Sequence, residues 1–219
     1  MESPNGESVA RYRDRYRAEE IPRRYWGAGH LAFVILFSLG GIAIAISQLA
    51  NVSAWAWLTV PVTFLYANLV EYLGHRFAMH RKLPGLGLIY RRHAGQHHRF
   101  FTDQHMELDS AHDFRAVLFP PLLVIFFFGL FAFPVGMVIA MSGSANVAWL
   151  FVATALAYYL NYELLHLTYH LPRESRLARL PGLARLKRLH QRHHNPKLMA
   201  RFNFNITYPI FDRLFRTRI

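Results

Sequence analysis

The chain has 219 residues, with 25 Lys+Arg against 13 Asp+Glu and a formal net charge of +12, yet 53% of it is apolar. So high an apolar share excludes a disordered basic tail, and 13 Gly with 11 Pro excludes collagen-like and low-complexity chains. There is no cysteine, which excludes disulfides, Cys-rich zinc sites and thiolate-bound iron–sulfur clusters. Thirteen histidines leave imidazole, with carboxylate, as the route to a metal.

In chain order, residues 1–29 read as a basic cytoplasmic segment, and 30–219 as a single membrane domain. The early arginines Arg11, Arg13, Arg15 and Arg17 either lie against anionic headgroups or only signal topology. No cleavable signal peptide is expected, because the first apolar run starts near residue 31 and is too long for one. Residues 25–70 and 116–162 contain no Asp, Glu, Lys or Arg. Each stretch holds two spans of about 20 residues plus a turn, and turn chemistry falls at SQLANVS (47–53) and MSGSAN (141–146). Four transmembrane helices are therefore predicted near 30–49, 54–75, 118–141 and 146–168. A soluble bundle would show a polar stripe at helical period, which LAFVILFSL (31–39) and VLFPPLLVIFFFGLFAFPV (117–135) lack. Pro61 and Pro134 are tolerated in membrane helices.

The expected fold is an all-α integral membrane protein, with four transmembrane helices in two hairpins and a cytoplasmic His-rich helical cap. The short connections at 50–53 and 142–145 carry no basic residue. Every Lys and Arg therefore falls on one side, which the positive-inside rule makes cytoplasmic, together with both termini. A bacterial inner membrane or an ER-type membrane fits. The charge is then a topology signal, and no nucleic-acid partner is expected.

Ten histidines form four short clusters, HRFAMH (75–80), HAGQHH (93–98), HLTYH (166–170) and HQRHH (190–194), all at or beyond the cytoplasmic ends of spans two and four. At about 100° per residue, His166 and His170 share a helix face, as do His190, His193 and His194. His93 and His97 share another face, with His98 about 100° further round. His75 and His80 stand about 140° apart on an ideal helix, so a distortion or helix end must separate them if they meet one metal. Ten imidazoles are too many for one ion, and two metals are the economical count. His30, His105 and His112 are read as interfacial or surface residues. Glu71 and Glu163, at the ends of apolar spans, either orient histidine ligands, ligate directly or reach water.

The pattern HxxxxH, HxxxHH, HxxxH, HxxHH around four spans resembles the fatty acid hydroxylase superfamily, which includes sterol desaturases and sphingolipid hydroxylases. EYLGHRFAMH (71–80) is similar to the family's first histidine box, RLHQRHHN (188–195) to its last, and FNFNITYPIFDRLFRT (202–217) to its closing signature. The resemblance implies a membrane non-haem di-iron oxygenase with metal ligands His75, His80, His93, His97, His98, His166, His170, His190, His193 and His194. It assigns Asp212 a supporting or structural role. The implied reaction is O2-dependent hydroxylation of a fatty acyl, sphingolipid, sterol or carotenoid substrate. The cofactors are two Fe ions, with Zn able to take their place on purification, and O2. Electrons come from a separate donor, cytochrome b5-like, ferredoxin or reductase, since about 28 residues before the first span leave no room for a fused cytochrome b5 domain. The second box departs from animal and fungal fatty acid 2-hydroxylases by one extra residue, with Ala94, Gly95 and Gln96 between His93 and His97. Lipid desaturation by the same centre is the near alternative. A membrane metal-binding or transport protein is the alternative from another class.

Overall fold

The computed structural model describes residues 8–219, apart from the side chains at 125–127 and 131. The first seven residues of the basic N-terminal segment lie outside the described residues. Every regular element among those described is helical, and β-pairing is confined to one isolated Thr102–His105 bridge.

Helix α1, Val9–Glu19, starts at Ser8, whose hydroxyl accepts the Arg11 N–H as an N-cap. It does not leave all its arginines for headgroups. Arg13 donates to the Phe100 and His105 carbonyls at 2.8 Å each, and Arg17 forks onto Asp113 at 2.8 and 2.9 Å and also reaches Asp109. Those bonds fasten α1 to the histidine-bearing cap.

Helix α2, Gly27–Ser47, has 21 residues and is about 31 Å long. A 3₁₀ turn, Ala54–Leu58, leads into α3, Thr59–Leu73, and then into a π-helical turn, Gly74–Met79. Pro61 falls in the first turn of α3, where its missing N–H has no intrahelical acceptor to lose. Short α4, Gly87–Tyr90, runs into a second π turn, Arg91–His97, and then α5, His98–Phe100. After α6 at Phe114–Val117, the third predicted span is built in pieces: a break at Pro120, α7 at Pro121–Phe127, a π turn at Phe128–Ala132, and α8 at Phe133–Met141. Helix α9, Ala145–Tyr169, is continuous over 25 residues. Helices α10, Pro181–His193, and α11, Ile210–Leu214, complete the cap.

Helices thus occupy all four predicted apolar segments. Two helical stretches, Gly27–Ser47 and Ala111–Met141, are long and apolar enough to cross a membrane. α2 packs along α9 through buried Val34, Ser38 and Ala45. At Gly41, a Cβ would lie 2.6 Å from Leu156. The far faces stay apolar and open: Leu36, Ile44 and Val138 are each more than 60% exposed. A water-soluble chain seldom leaves such a surface uncovered. Exposed Trp26 at one end of α2 and exposed Trp55 and Trp57 ahead of α3 sit where membrane-interface aromatics are placed. The two turn regions meet at the same end, where Asn146 bonds both the N–H and the carbonyl of Ala50, at 3.0 and 2.7 Å.

Candidate metal centre

The structure gathers all ten clustered histidines into two adjoining groups of five. His75, His80, His93, His98 and His193 form one, and His97, His166, His170, His190 and His194 the other. Within each group the candidate ligand atoms lie within 4.8 Å of one another, and all ten residues are buried.

This sorting keeps His166 with His170, as their shared α9 face predicts, but elsewhere departs from α-helical faces. His93 joins His98, their Nε2 atoms 3.0 Å apart, while His97 turns to His194 and His166, at 3.2 Å each. The α-helical face that His93 and His97 would share does not put them in one group, and the cause is the Arg91–His97 π turn. Its i→i+5 bonding brings residues five apart onto one face, where an α-helix would align residues four apart. The Gly74–Met79 turn does the same for His75 and His80, whose Nε2 atoms are 3.2 Å apart. That turn is the distortion their spacing demands. The three-imidazole face on α10 is divided too: His193 approaches His80 at 3.0 Å, whereas His190 and His194 stay together at 2.9 Å.

The hydrogen bonds fix which nitrogen faces inward. Nδ1 of His97 donates to Ala116 O, that of His170 to Met106 O, and that of His194 to Phe101 O, each at 2.8 Å. In the other group, His193 donates to Phe202 O at 2.9 Å and His75 to Phe204 O. A neutral imidazole whose Nδ1 carries the proton has only a lone pair at Nε2. Five such lone pairs are aimed into the two groups, and those of His97 and His194 meet at 3.2 Å with no proton between them. Facing acceptors at about 3 Å repel unless a cation lies between them, and neutral imidazole is an apt ligand for zinc, iron or copper. The residues present fit a bound metal in each group.

Burial keeps these rings neutral. It pushes His97 down to about 3 and His193 to about 4, and drives His93, His98, His170, His190 and His194 well below the ordinary 6.5. In the metal-free protein, the unfolded chain takes up protons below pH 6.5 that the folded chain refuses. Stability is therefore retained above that pH and lost as pH falls toward 3. The slope is about 1.4 kcal/mol per pH unit for each histidine involved. Thermal unfolding of metal-stripped protein in detergent should show this steep acid limb, and a flat profile between pH 7 and 4 would contradict it.

The three carboxylates singled out from sequence accept no imidazole N–H in this geometry. Glu71 takes the N–H groups of Ile206 and Thr207, the Thr207 hydroxyl at 2.6 Å and the Tyr158 hydroxyl. Glu163 accepts from Phe119 N–H at 3.2 Å. Asp212 accepts from Phe204 N–H at 3.0 Å, Asn205 N–H at 2.7 Å and the Thr217 hydroxyl at 2.7 Å. Glu71 and Asp212 thus clamp the 204–207 backbone from two sides, and that strand of chain supplies the carbonyl under His75. Asn68, Tyr158 and Thr207 complete the clamp. They went unnoticed in sequence, although Asn68 and Tyr158 are polar residues inside charge-free apolar runs. His30 bonds the Tyr25 hydroxyl at 2.8 Å and Phe119 O at 3.1 Å, and neither it nor His105 nor His112 joins a group.

An apolar cavity of about 140 Å³ reaches His75 and Glu71 and is walled by Val70, Gly74, Phe119, Tyr158 and Tyr162. It shares Val124, Phe128, Ala132 and Ala155 with a second apolar cavity of about 690 Å³ that runs between α8 and α9.

The hydroxylase domain in a structure described as full-length scs7p aligns over 86% of this chain at 20% identity, with a TM-score of 0.60. The chain spans 64% of that structure's length, and the likeness is one of fold. No curated protein matches the chain. The sequence model of the family described as "Fatty acid hydroxylase" matches residues 60–217, a range that holds all ten histidines and the 202–217 segment. On that match, the chain belongs to the fatty acid hydroxylase family.

Proposed function

We propose that the protein is a four-span membrane oxygenase that hydroxylates a lipid at an unactivated C–H bond. In this reading the ten histidines hold two iron ions at the cytoplasmic face, five imidazoles to each. The observation that carries it is the pair of adjoining imidazole groups with their lone pairs turned inward beside an apolar cavity. Iron bound there supplies O2 activation and C–H oxidation. The chain's own residues do the rest. Carbonyls of Phe101, Met106, Ala116, Phe202 and Phe204 hold the ring tautomers, and such supports tune metal affinity. The cavity walls orient an alkyl chain toward His75 and exclude water, which limits side reactions.

The Ser47–Ser53 and Met141–Asn146 turns lie opposite the cap, consistent with four crossings and both termini on the cytoplasmic side. Fatty acyl, sphingolipid, sterol and carotenoid substrates share the required apolar chain, and desaturation would use the same centre. A transporter places polar ligands near the membrane midplane, whereas these histidines sit at and beyond the ends of α3 and α9.

Metal analysis of protein purified in mild detergent should give about two ions per chain, and expressing cells should accumulate a new hydroxylated lipid. Substantially less than two metals would sink the dinuclear centre. Two metals without any oxidised lipid would sink the enzyme reading.

A further inference from the structure

The side of α10 turned away from the histidines carries Arg185, Arg188 and Arg192, spaced by three and four residues and so aligned in one stripe within about 60°. All three are exposed. Arg213, Arg216 and Arg218 extend the stripe. With Arg192, Leu189, Asp212 and Ile219, those three line a polar depression of about 410 Å³. Arg218 feels the repulsion of Arg213, Arg185 and Arg192 and the attraction of Asp212. Asp212 lies beneath, but it is buried and its oxygens are committed to Phe204, Asn205 and Thr217. Among the described residues, none of the six guanidinium groups has a carboxylate partner. The basic cluster on the α1 side differs, since Arg15 pairs with Glu19 at 3.5 Å and Glu19 and Glu20 stand among its arginines.

Six cations held together over a single buried carboxylate repel one another, and an anionic partner relieves that repulsion. The patch is also close to the metal ligands. Only the width of one helix, about 10 Å, separates the arginine stripe from His190, His193 and His194. Behind the lining residues Leu189 and Ile219, buried Asn203 accepts from Ile219 N–H at 3.0 Å and donates to Leu189 O at 3.3 Å. The carbonyls on either side of Asn203, those of Phe202 and Phe204, receive the Nδ1–H of His193 and His75. A continuous bonded and hydrogen-bonded route therefore links this surface to two imidazoles of one group.

Hydroxylation consumes reducing equivalents: RH + O2 + 2 e⁻ + 2 H⁺ gives ROH + H2O. One oxygen atom enters the new C–O bond and the other leaves as water. We propose that the α10–α11 arginine face is the docking surface for an acidic one-electron carrier protein, which delivers two electrons in succession through the Asn203 segment. This rests on the oxygenase reading above. Anionic lipid headgroups would also answer the charge, but they would have no use for a bonded route to the metal ligands.

The test uses the full chain in phosphatidylcholine nanodiscs, with and without phosphatidylglycerol, and an acidic [2Fe–2S] ferredoxin as the probe. The variant is Arg185→Glu/Arg188→Glu/Arg216→Glu, which leaves every histidine in place. Zinc-loaded protein should bind the oxidised ferredoxin at low salt, and the variant should bind it at least about tenfold more weakly. The difference should shrink at high salt. With iron-loaded protein, reduction by ferredoxin should slow by a similar factor, while reduction by dithionite should be unchanged. Equal binding by variant and wild type, or no binding by wild type, overturns the proposal. A deficit that appears only with phosphatidylglycerol and persists with dithionite assigns the patch to headgroups instead. Failure of the oxygenase reading looks different: no lipid product forms even with dithionite, whatever the variant's affinity for ferredoxin.

Discussion

His193→Ala and His194→Ala, neighbours in sequence, should each remove a different metal. His193 faces His80 at 3.0 Å in one group, and His194 faces His97 and His190 at 3.2 and 2.9 Å in the other. Deleting one of five imidazoles leaves four, and even loss of a residue that merely orients a ligand weakens metal binding about 10–100-fold. Each variant should therefore retain about one ion per chain after dialysis and yield no product, because the proposed reaction uses both ions. The buried ring also leaves a cavity, which costs about 2–3 kcal/mol, so a melting curve should accompany the metal count. Loss of the same ion from both variants would show that the division into two fives is wrong.

The second large effect is expected at Asp212, which touches no imidazole. Its carboxylate accepts three hydrogen bonds while fully buried. Asp212→Ala strands three donors, two of them the backbone N–H groups of Phe204 and Asn205. The cost is about 1–3 kcal/mol for each donor left unsatisfied. The damage should be one-sided. The His75 and His193 rings rest on the Phe204 and Phe202 carbonyls, whereas His97, His170 and His194 rest on Ala116, Met106 and Phe101. Metal titration should show weakened binding in the His75 group, by about 10–100-fold, with the His97 group nearly unchanged. Asp212→Asn keeps one acceptor oxygen and should recover part of the loss. An equal effect on both groups would mean that Asp212 supports the cap as a whole.

Much of the layout was legible because lipid and metal impose coarse demands on sequence. Charge-free stretches 25–70 and 116–162 mark where an ionised side chain would be too costly, and helices fill them. Imidazole density marked the ten residues that converge. The pairing among them was not legible, because helical-wheel angles assume α geometry and two π turns break that assumption at His75–His80 and His93–His98. The role of Glu71 was hidden for another reason. A carboxylate near a histidine in sequence suggests contact with the ring, yet Glu71 binds the backbone N–H of Ile206, 135 residues away. Nothing in local spacing encodes a partner at that separation. The broken third span has a plain cause in Pro120–Pro121, where consecutive prolines remove two donors and disfavour helix before them.

The strand of chain clamped by Glu71 and Asp212 has a consequence for biosynthesis. Residues 202–217 leave the ribosome after every histidine, yet they provide the carbonyls on which His75 and His193 settle. A nascent chain can insert its apolar helices and collect its imidazoles while those two rings still lack their fixed tautomers. Completion of the His75 group is thereby reserved for a chain that has reached residues 202–204, and a ribosome stalled before Phe202 would display histidines with two of that group's rings unsupported.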